Sequence, residues 1–401
     1  MQTTNTAPAQ TANRIATAST DTPLSSSLVG WMAITCGLVV ANLYFNQPLL
    51  AEIGKAFQKT DKQVSWIATI TQLGYTVGLL LVVPLGDKLE RKKLILIKLV
   101  LAAISLAVVA SSQHFYTMLI ASLFVGIFSV VPQLLLPMAA QLARPEKRGK
   151  IVGTVMSGLL IGILLSRTIS GYVGAHLGWR AIFWIGAVVM LLLDGILAFM
   201  LPKDQPVYKG TYSHLMRSLW TLVKDQAILR KSAGVGFMMF GAFSIFWTTL
   251  VFFLEGAPYH YKSDMVGLFG LIGACGAFAA PLAGKTADRK GADFTAVFGM
   301  LIALSAFVVM GIGGNWLIAL ILGVILLDIG MQVTHISNQS RVFALIPEAR
   351  SRLNTVYMTS AFTGSSLGSL LGSMAWHYGQ WPGVCLLGFV FIGTAYLINR
   401  N

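Results

Sequence analysis

The chain has 401 residues, of which 55% are hydrophobic and 11% charged, with a formal net charge of +14. A soluble domain carries about 25% charged residues, so this composition excludes ordinary soluble proteins. The excess of basic residues would suit a nucleic-acid binder, but they fall in short loops between apolar runs, a pattern of membrane orientation rather than a basic binding face.

The first 25 residues are rich in Thr, Ala and Ser with one basic residue, Arg14, and read as a disordered tail with no secretory signal. Apolar runs then recur at a length that crosses about 30 Å of hydrocarbon as helix. Twelve spans are expected, at 28–48, 64–86, 94–110, 116–142, 151–174, 179–201, 233–256, 264–284, 294–312, 316–346, 353–376 and 381–399. The fold class is therefore all-α and polytopic. Cys36, Cys275 and Cys385 each lie alone within an apolar run and read as small buried hydrophobes.

Two charged loops repeat at a fixed distance. Asp87 in Pro84-Leu85-Gly86-Asp87-Lys88-Leu89-Glu90-Arg91-Lys92-Lys93 precedes Asp288 in Gly284-Lys285-Thr286-Ala287-Asp288-Arg289-Lys290-Gly291 by 201 residues. Pro145-Glu146-Lys147-Arg148 precedes Pro347-Glu348-Ala349-Arg350 by 202 residues. A chain that repeats itself at such a period is a duplication, here of a six-span unit. The expected organisation is a tail (1–25), a first six-helix bundle (26–201), a connection (202–232) and a second bundle (233–401). In the connection, Leu215, Leu219, Leu222 and Val223 form an apolar stripe beside Arg217, Lys224, Arg230 and Lys231, which suits an interfacial helix.

Lys and Arg concentrate in alternate loops, including Lys88, Arg91, Lys92 and Lys93, then Arg144, Lys147, Arg148 and Lys150, and later Arg350 and Arg352. The positive-inside rule makes these loops cytoplasmic and puts both termini inside. Lys55, Lys59 and Lys62 in the first opposite loop run against the trend without reversing it. Glycines recur in the second, fifth, eighth and eleventh spans, at Gly74 and Gly78, Gly158 and Gly162, Gly267, Gly270, Gly273 and Gly276, and Gly364, Gly368 and Gly372. Small residues let helices approach closely in lipid, so these four spans are expected to form the seam between the halves.

Enzyme motifs fail on inspection. Gly284-Lys285-Thr286 resembles the end of a phosphate-binding loop, but that motif needs glycine where Ala279 stands. Gly364-Ser365-Ser366 lacks the closing glycine of a nucleophile elbow, and no HExxH metal helix occurs. No cofactor and no metal are expected.

Charges inside spans are informative, because an Arg or Asp at mid-membrane costs about 2.5–3.5 kcal/mol unless paired or hydrated. Arg167 lies in the fifth span, Asp194 in the sixth and Asp328 in the tenth, the last roughly 18 Å along its helix at 1.5 Å per residue. Gln332, His335 and Gln339 follow Asp328 at helical spacing and complete a polar stripe. Such a stripe either glues helices together or walls a cavity in which Asp328, with His335, changes protonation. Arg167 is a counter-ion for Asp194 or a substrate-binding cation. Asn42, Asn46 and Gln47 in the first span, Gln133 in the fourth, and Trp247, Thr248 and Thr249 in the seventh are further cavity candidates.

The duplicated loops, the twelve spans and the half-chain repeat resemble the major facilitator superfamily. Gly158-Leu-Leu-Ile-Gly162-Ile-Leu-Leu-Ser-Arg167, Gly178-Trp179-Arg180 and Pro347-Glu348-Ala349-Arg350-Ser351-Arg352-Leu353-Asn354 resemble its bacterial sugar- and drug-efflux permeases. The resemblance implies two pseudo-symmetric six-helix bundles with the first, fourth, seventh and tenth helices lining a cavity between them. It further implies a cytoplasmic latch of Asp87, Lys88, Arg91, Lys92, Arg148, Asp288, Arg289 and Arg350, in which Asp87 pairs near the start of the eleventh helix in one conformation. Departures are plain: Val83 and Glu90 replace loop glycines, Ala292-Asp293 replaces a basic pair, and Ile163 replaces the proline of the antiporter signature. The expected function is alternating-access transport of a small organic molecule in a bacterial inner membrane, by a monomer with protons as coupling ion and no nucleic-acid partner. Proton-coupled efflux leads; import of a sugar or organic acid, and a non-transporting scaffold or sensor, are the alternatives.

Overall fold

The computed structural model describes residues 25–144, 147–204, 210–273, 289–346 and 349–400. Among these residues the spans are helical, as backbone in lipid must be to satisfy its own polar groups. The first span is Ser26–Ala41, capped by Ser25, whose Oγ accepts from the Leu28 N–H at 3.1 Å. It stops earlier than predicted, as the ladder tightens to i→i−3 bonds from Asn42 to Tyr44, and Pro48 with no N–H of its own keeps the α-helix from resuming through the turn. The chain turns through a 3₁₀ segment, Gln47–Leu49, into a short helix, Leu50–Phe57, that the sequence reading took for plain loop.

The second span lies within Asp61–Lys88, the third is Arg91–Ser111 and the fourth is Phe115–Leu142. The fourth is not continuous: Phe115–Phe128 and Val131–Leu142 meet at a break before Pro132. The fifth, Arg148–Leu177, and sixth, Trp179–Met200, hinge at Gly178, whose φ of 82° suits glycine. A linker helix, Tyr212–Asp225, leads to the seventh span, Ala227–Glu255. Ser263–Gly273 is the described part of the eighth; Ala292–Gly313 and Leu317–Leu345 are the ninth and tenth. The run Arg350–Arg400 turns at Gln380, with φ 47°, into the eleventh and twelfth spans. Large apolar side chains point outward, such as Phe199 and Ile312, as a lipid-facing surface requires.

Most of the seam spans' glycines face helices of their own half rather than the other half. A Cβ on Gly158 would lie 2.2 Å from the Ala33 carbonyl oxygen, and one on Gly162 the same distance from that of Gly37. The second half repeats this, with Gly364 against Phe237 and Gly368 against Gly241. Gly74 similarly meets Leu123 of the fourth span. These glycines therefore close helices within each half, because their backbone approaches join the first helix to the fifth, the second to the fourth and the seventh to the eleventh. The four spans still meet across the seam as expected: the second packs against the eleventh, where the Tyr75 and Phe362 rings lie 4.4 Å apart, and the far end of the fifth packs against the eighth. There Gly171 and Gly267 bring the two halves into backbone contact, and Thr168 Oγ1 donates to the Gly267 carbonyl at 2.8 Å.

Elsewhere the seam is made of side chains. On the face opposite the basic loops, Lys55 pairs with Glu255 at 3.1 Å, Trp376 Nε1 donates to Asp61 at 3.0 Å, and Ser263 Oγ donates to Glu52. Partial burial holds the Glu52 carboxyl above the usual carboxylate range, with the Ser263 donor opposing that rise. Midway through the protein, Ser244 Oγ donates to Gln72 at 3.3 Å.

Candidate functional site

Arg167 is buried where the fifth helix passes the end of the first, and the first span's early stop is what delivers its partner. The 3₁₀ turn aims Gln47 inward, and Arg167 Nε donates to Gln47 Oε1 at 2.7 Å. The guanidinium plane is enclosed by aromatic rings: Trp247 at 4.1 Å, Tyr44 at 4.7 Å and Phe243 at 5.7 Å from its carbon. Cation–π contacts of this kind are worth about 2 kcal/mol or more once desolvated. Its Nη2 has no hydrogen-bond partner among the described residues, and neither has Trp247 Nε1.

Asp328 faces the same region from the tenth helix. It is buried, and its Oδ2 is also without a partner among the described residues. The eighth helix makes room for both charges. A Cβ on Gly270 would meet the Arg167 side chain at 3.0 Å, and one on Gly273, a turn later, would meet the Asp328 carboxylate at 3.1 Å. No direct ion pair joins Arg167 and Asp328 among the described residues, yet each lies within Coulombic reach of the other. The structure thus brings together Arg167, Asp328, Gln47 and Trp247 from both halves.

The rest of the polar stripe runs toward the basic face. His335 Nδ1 and the Tyr357 hydroxyl lie 2.9 Å apart, and the two rings stack. Phe240 meets the imidazole edge at 5.3 Å between centroids. Gln339 Nε2 donates to Asn354 Oδ1 at 3.2 Å, Asn354 Nδ2 to Gln133 Oε1 at 3.5 Å, and Gln133 Nε2 to the Tyr75 hydroxyl at 3.3 Å. This amide chain links the tenth, eleventh, fourth and second spans and crosses between the halves. Gln332 is half-buried on the same helix face.

Three predicted candidates lie apart from that cluster. Asn42 Nδ2 donates to Ser129 at 3.5 Å and to Met190 Sδ at 3.4 Å, inside the first half. Asn46 Nδ2 donates to Thr71 Oγ1 at 3.2 Å. Asp194 is half-buried in the sixth span with one oxygen unpartnered among the described residues, and Arg167 makes its contacts elsewhere. Tyr44, Tyr75, Phe243 and Tyr357 were missed by sequence reasoning, because an aromatic in an apolar run carries no mark that separates a cavity wall from core.

At the basic face, Asp87 pairs with Arg91 at 3.0 Å within the first half. Arg91 is buried and also donates to the Gly86 carbonyl at 3.0 Å and to Gln141 at 2.6 Å. Lys92 Nζ donates to the Leu201 carbonyl at 2.6 Å, and Arg350 Nε to the Phe343 carbonyl at 3.0 Å. Lys88 is half-buried, and Arg289 is exposed. Asp288 and the Arg148 side chain lie outside the described residues. The second half carries a counterpart of the Arg91–Gln141 clamp with the arginine on the other helix: Asp293 opens the ninth helix and pairs with Arg341 near the end of the tenth. Arg341 also donates to Asn399 at 2.8 Å.

Comparison with known proteins completes the picture. The family model of the Major Facilitator Superfamily matches residues 32–369. A putative uncharacterized transporter, YgaY, of Escherichia coli (strain K12) is 43% identical over 94% of this chain and 94% of its own. A probable transporter of Streptomyces coelicolor is 32% identical over 88% of this chain and 82% of its own. A probable sugar efflux transporter of Helicobacter pylori is 24% identical over 85% of each. The crystal structure of a bacterial homolog of the human lysosomal transporter Spinster, inward-facing and unoccupied, superposes with a TM-score of 0.74 at 16% identity, covering 95% of this chain and 98% of that one. The two-bundle, twelve-helix fold and the matches along the chain agree: it belongs to the Major Facilitator Superfamily and is a multi-pass membrane transporter, not an enzyme.

Proposed function

We propose that the protein exports a small organic molecule across a bacterial inner membrane by alternating access, driven by proton entry. The basic loops face the cytoplasm with both termini, residues 26–201 and 233–401 move as the two bodies, and the working unit is a monomer. One observation supports the coupling: Asp328 presents a carboxylate oxygen, unpartnered among the described residues, to a buried region shared with Arg167, in a gap made by Gly270 and Gly273. A carboxylate so placed exchanges a proton when the gap opens, and its charge changes what Arg167 faces. Substrate groups accept from Arg167 Nη2 and Trp247 Nε1, which have no partner among the described residues. The likeness to a probable sugar efflux transporter of Helicobacter pylori supports efflux as the direction.

In this arrangement the inter-half contacts of Lys55, Glu52 and Asp61 close the periplasmic side. Asp87 holds Arg91 and is released to the start of the eleventh helix when the cytoplasmic side closes, since a carboxylate is stabilised at a helix N-terminus. The test is transport in inverted vesicles with an imposed pH gradient and a panel of sugars, sugar alcohols and amphiphilic drugs. A transported solute collapses the gradient with the native protein, and Asp328→Asn, equally well inserted, leaves it standing. Equal collapse with the variant overturns the assignment of Asp328.

A further inference from the structure

The linker helix Tyr212–Asp225 packs Leu215, Leu219 and Leu222 against the bundle, but it does not fill the space beneath it. Between this helix, the end of the second span and the seventh, eleventh and twelfth spans lies a cavity of about 590 Å³. That is within the about 300–1,000 Å³ of small-molecule sites. Its walls are apolar, with Leu80 from the first half, Phe237 and Val356 from the second, and Trp220 from the linker helix. Trp220 is 71% exposed and Leu80 37%, so the mouth opens on a surface that suits lipid better than water.

Two polar features punctuate this apolar wall. Thr359 Oγ1 is buried there without a partner among the described residues. Arg230 stands at the mouth; its Nη1 donates to the carbonyls of Val223 at 2.9 Å and Lys224 at 2.5 Å, closing the end of the linker helix. Its Nε and Nη2 are left free of partners among the described residues. Arg217, Lys224 and Lys231 lie near it in sequence, and Asp225 is the one acidic residue between positions 210 and 232.

We propose that this cavity binds an anionic phospholipid from the leaflet on the basic side. The acyl chain lies along Leu80, Phe237 and Val356, the phosphate meets the free N–H groups of Arg230, and an ester carbonyl accepts from Thr359. A zwitterionic lipid fills the apolar part equally well but brings its own cation to a rim that is already basic. Because the walls come from both halves, the bound lipid bridges the seam beside the Tyr212 hydroxyl, which donates to the Leu81 carbonyl at 2.9 Å. It therefore holds the halves in the arrangement seen here.

Native mass spectrometry of the purified full chain, offered phosphatidylglycerol and phosphatidylethanolamine at equal concentration in detergent, tests this. The native protein retains phosphatidylglycerol in preference. Arg230→Gln weakens that retention about fivefold, the Boltzmann equivalent of one basic side chain at an anionic surface. Thr363→Trp, which places a ring in the cavity, removes retention of both lipids, whereas Thr363→Ser keeps it. Equal retention of the two lipids by the native protein overturns the proposal, as does phosphatidylglycerol retention unchanged in Arg230→Gln and Thr363→Trp. Thermal unfolding of each variant identifies one that has simply failed to fold, and the native-protein comparison decides the question without it.

Discussion

The fifth helix offers a controlled test of how the first half is held together. Gly153 and Gly162 lie on the same helix, but a Cβ on Gly153 would enter open space, whereas one on Gly162 would sit 2.2 Å from the Gly37 carbonyl oxygen and 2.3 Å from its Cα. Real Cβ atoms essentially never come within 3.0 Å, so Gly162→Ala forces the first and fifth helices apart by about 0.8 Å, from 2.2 to 3.0 Å. Overpacking of this kind costs about 1–3 kcal/mol, against about 0.5–1 kcal/mol gained when alanine replaces glycine within a helix. Gly162→Ala is therefore expected to destabilise by about 1–2 kcal/mol, and Gly153→Ala to stabilise by up to about 1 kcal/mol. The displacement also reaches the site. Arg167 is five residues further on, and parting the helices by about 0.8 Å stretches the 2.7 Å bond to Gln47 toward the limit of a hydrogen bond. Thermal unfolding in detergent orders the two variants, with insertion level as a control. A Gly162→Ala protein at least as stable as Gly153→Ala would refute this account of the helix contact.

Three further outcomes are expected. Arg167→Lys loses the Nε bond to Gln47 and the planar contact with Trp247, so it destabilises by about 1.5–3 kcal/mol in thermal unfolding; a change below about 0.5 kcal/mol would show that the aromatic cage does not need a guanidinium. Lys55→Gln and Glu255→Gln remove a largely exposed pair, so a double-mutant cycle on closure of that face, read by spin-label distances, yields about 0.2–1 kcal/mol that fades with salt; a larger, salt-insensitive coupling contradicts this. Glu52 holds its proton more tightly when closed against Ser263 than when solvated, since its pKa lies above the ordinary 4.5. The closed form therefore gains stability as pH falls from above that raised value toward 4.5, and loses the gain as pH rises. The same spin-label distances should show more closure at pH 5 than at pH 7, and Glu52→Gln should flatten the response; an unchanged slope in that variant refutes the assignment to Glu52.

Much of the fold was legible because it follows from the solvent. A lipid interior permits few backbone solutions, so run length and loop charge located the helices, and the recurrence of Asp87 at Asp288 exposed the duplication. What escaped depends on which side of a helix meets which neighbour. Glycine spacing at 158 and 162 announces a close approach without naming the partner, and the partner proved to be Gly37 in the same half. Asp328 and Arg167 stood out as costly charges, but the one counter-ion the sequence suggested for the arginine was Asp194. The deciding features, the Pro48 turn that aims Gln47 and the gap at Gly270 and Gly273, are tertiary.

The two kinds of join carry a consequence for engineering. Within a half, helices touch through bare backbone, where any added atom forces a shift of most of an ångström. Across the seam, apart from the Gly171–Gly267 crossing, contact is made by side chains such as Gln72 with Ser244 and Gln133 with Asn354. A mutational library confined to those seam side chains should retune the balance between open and closed forms while leaving expression intact. The same number of substitutions spread over the glycine faces should yield mainly chains that never assemble.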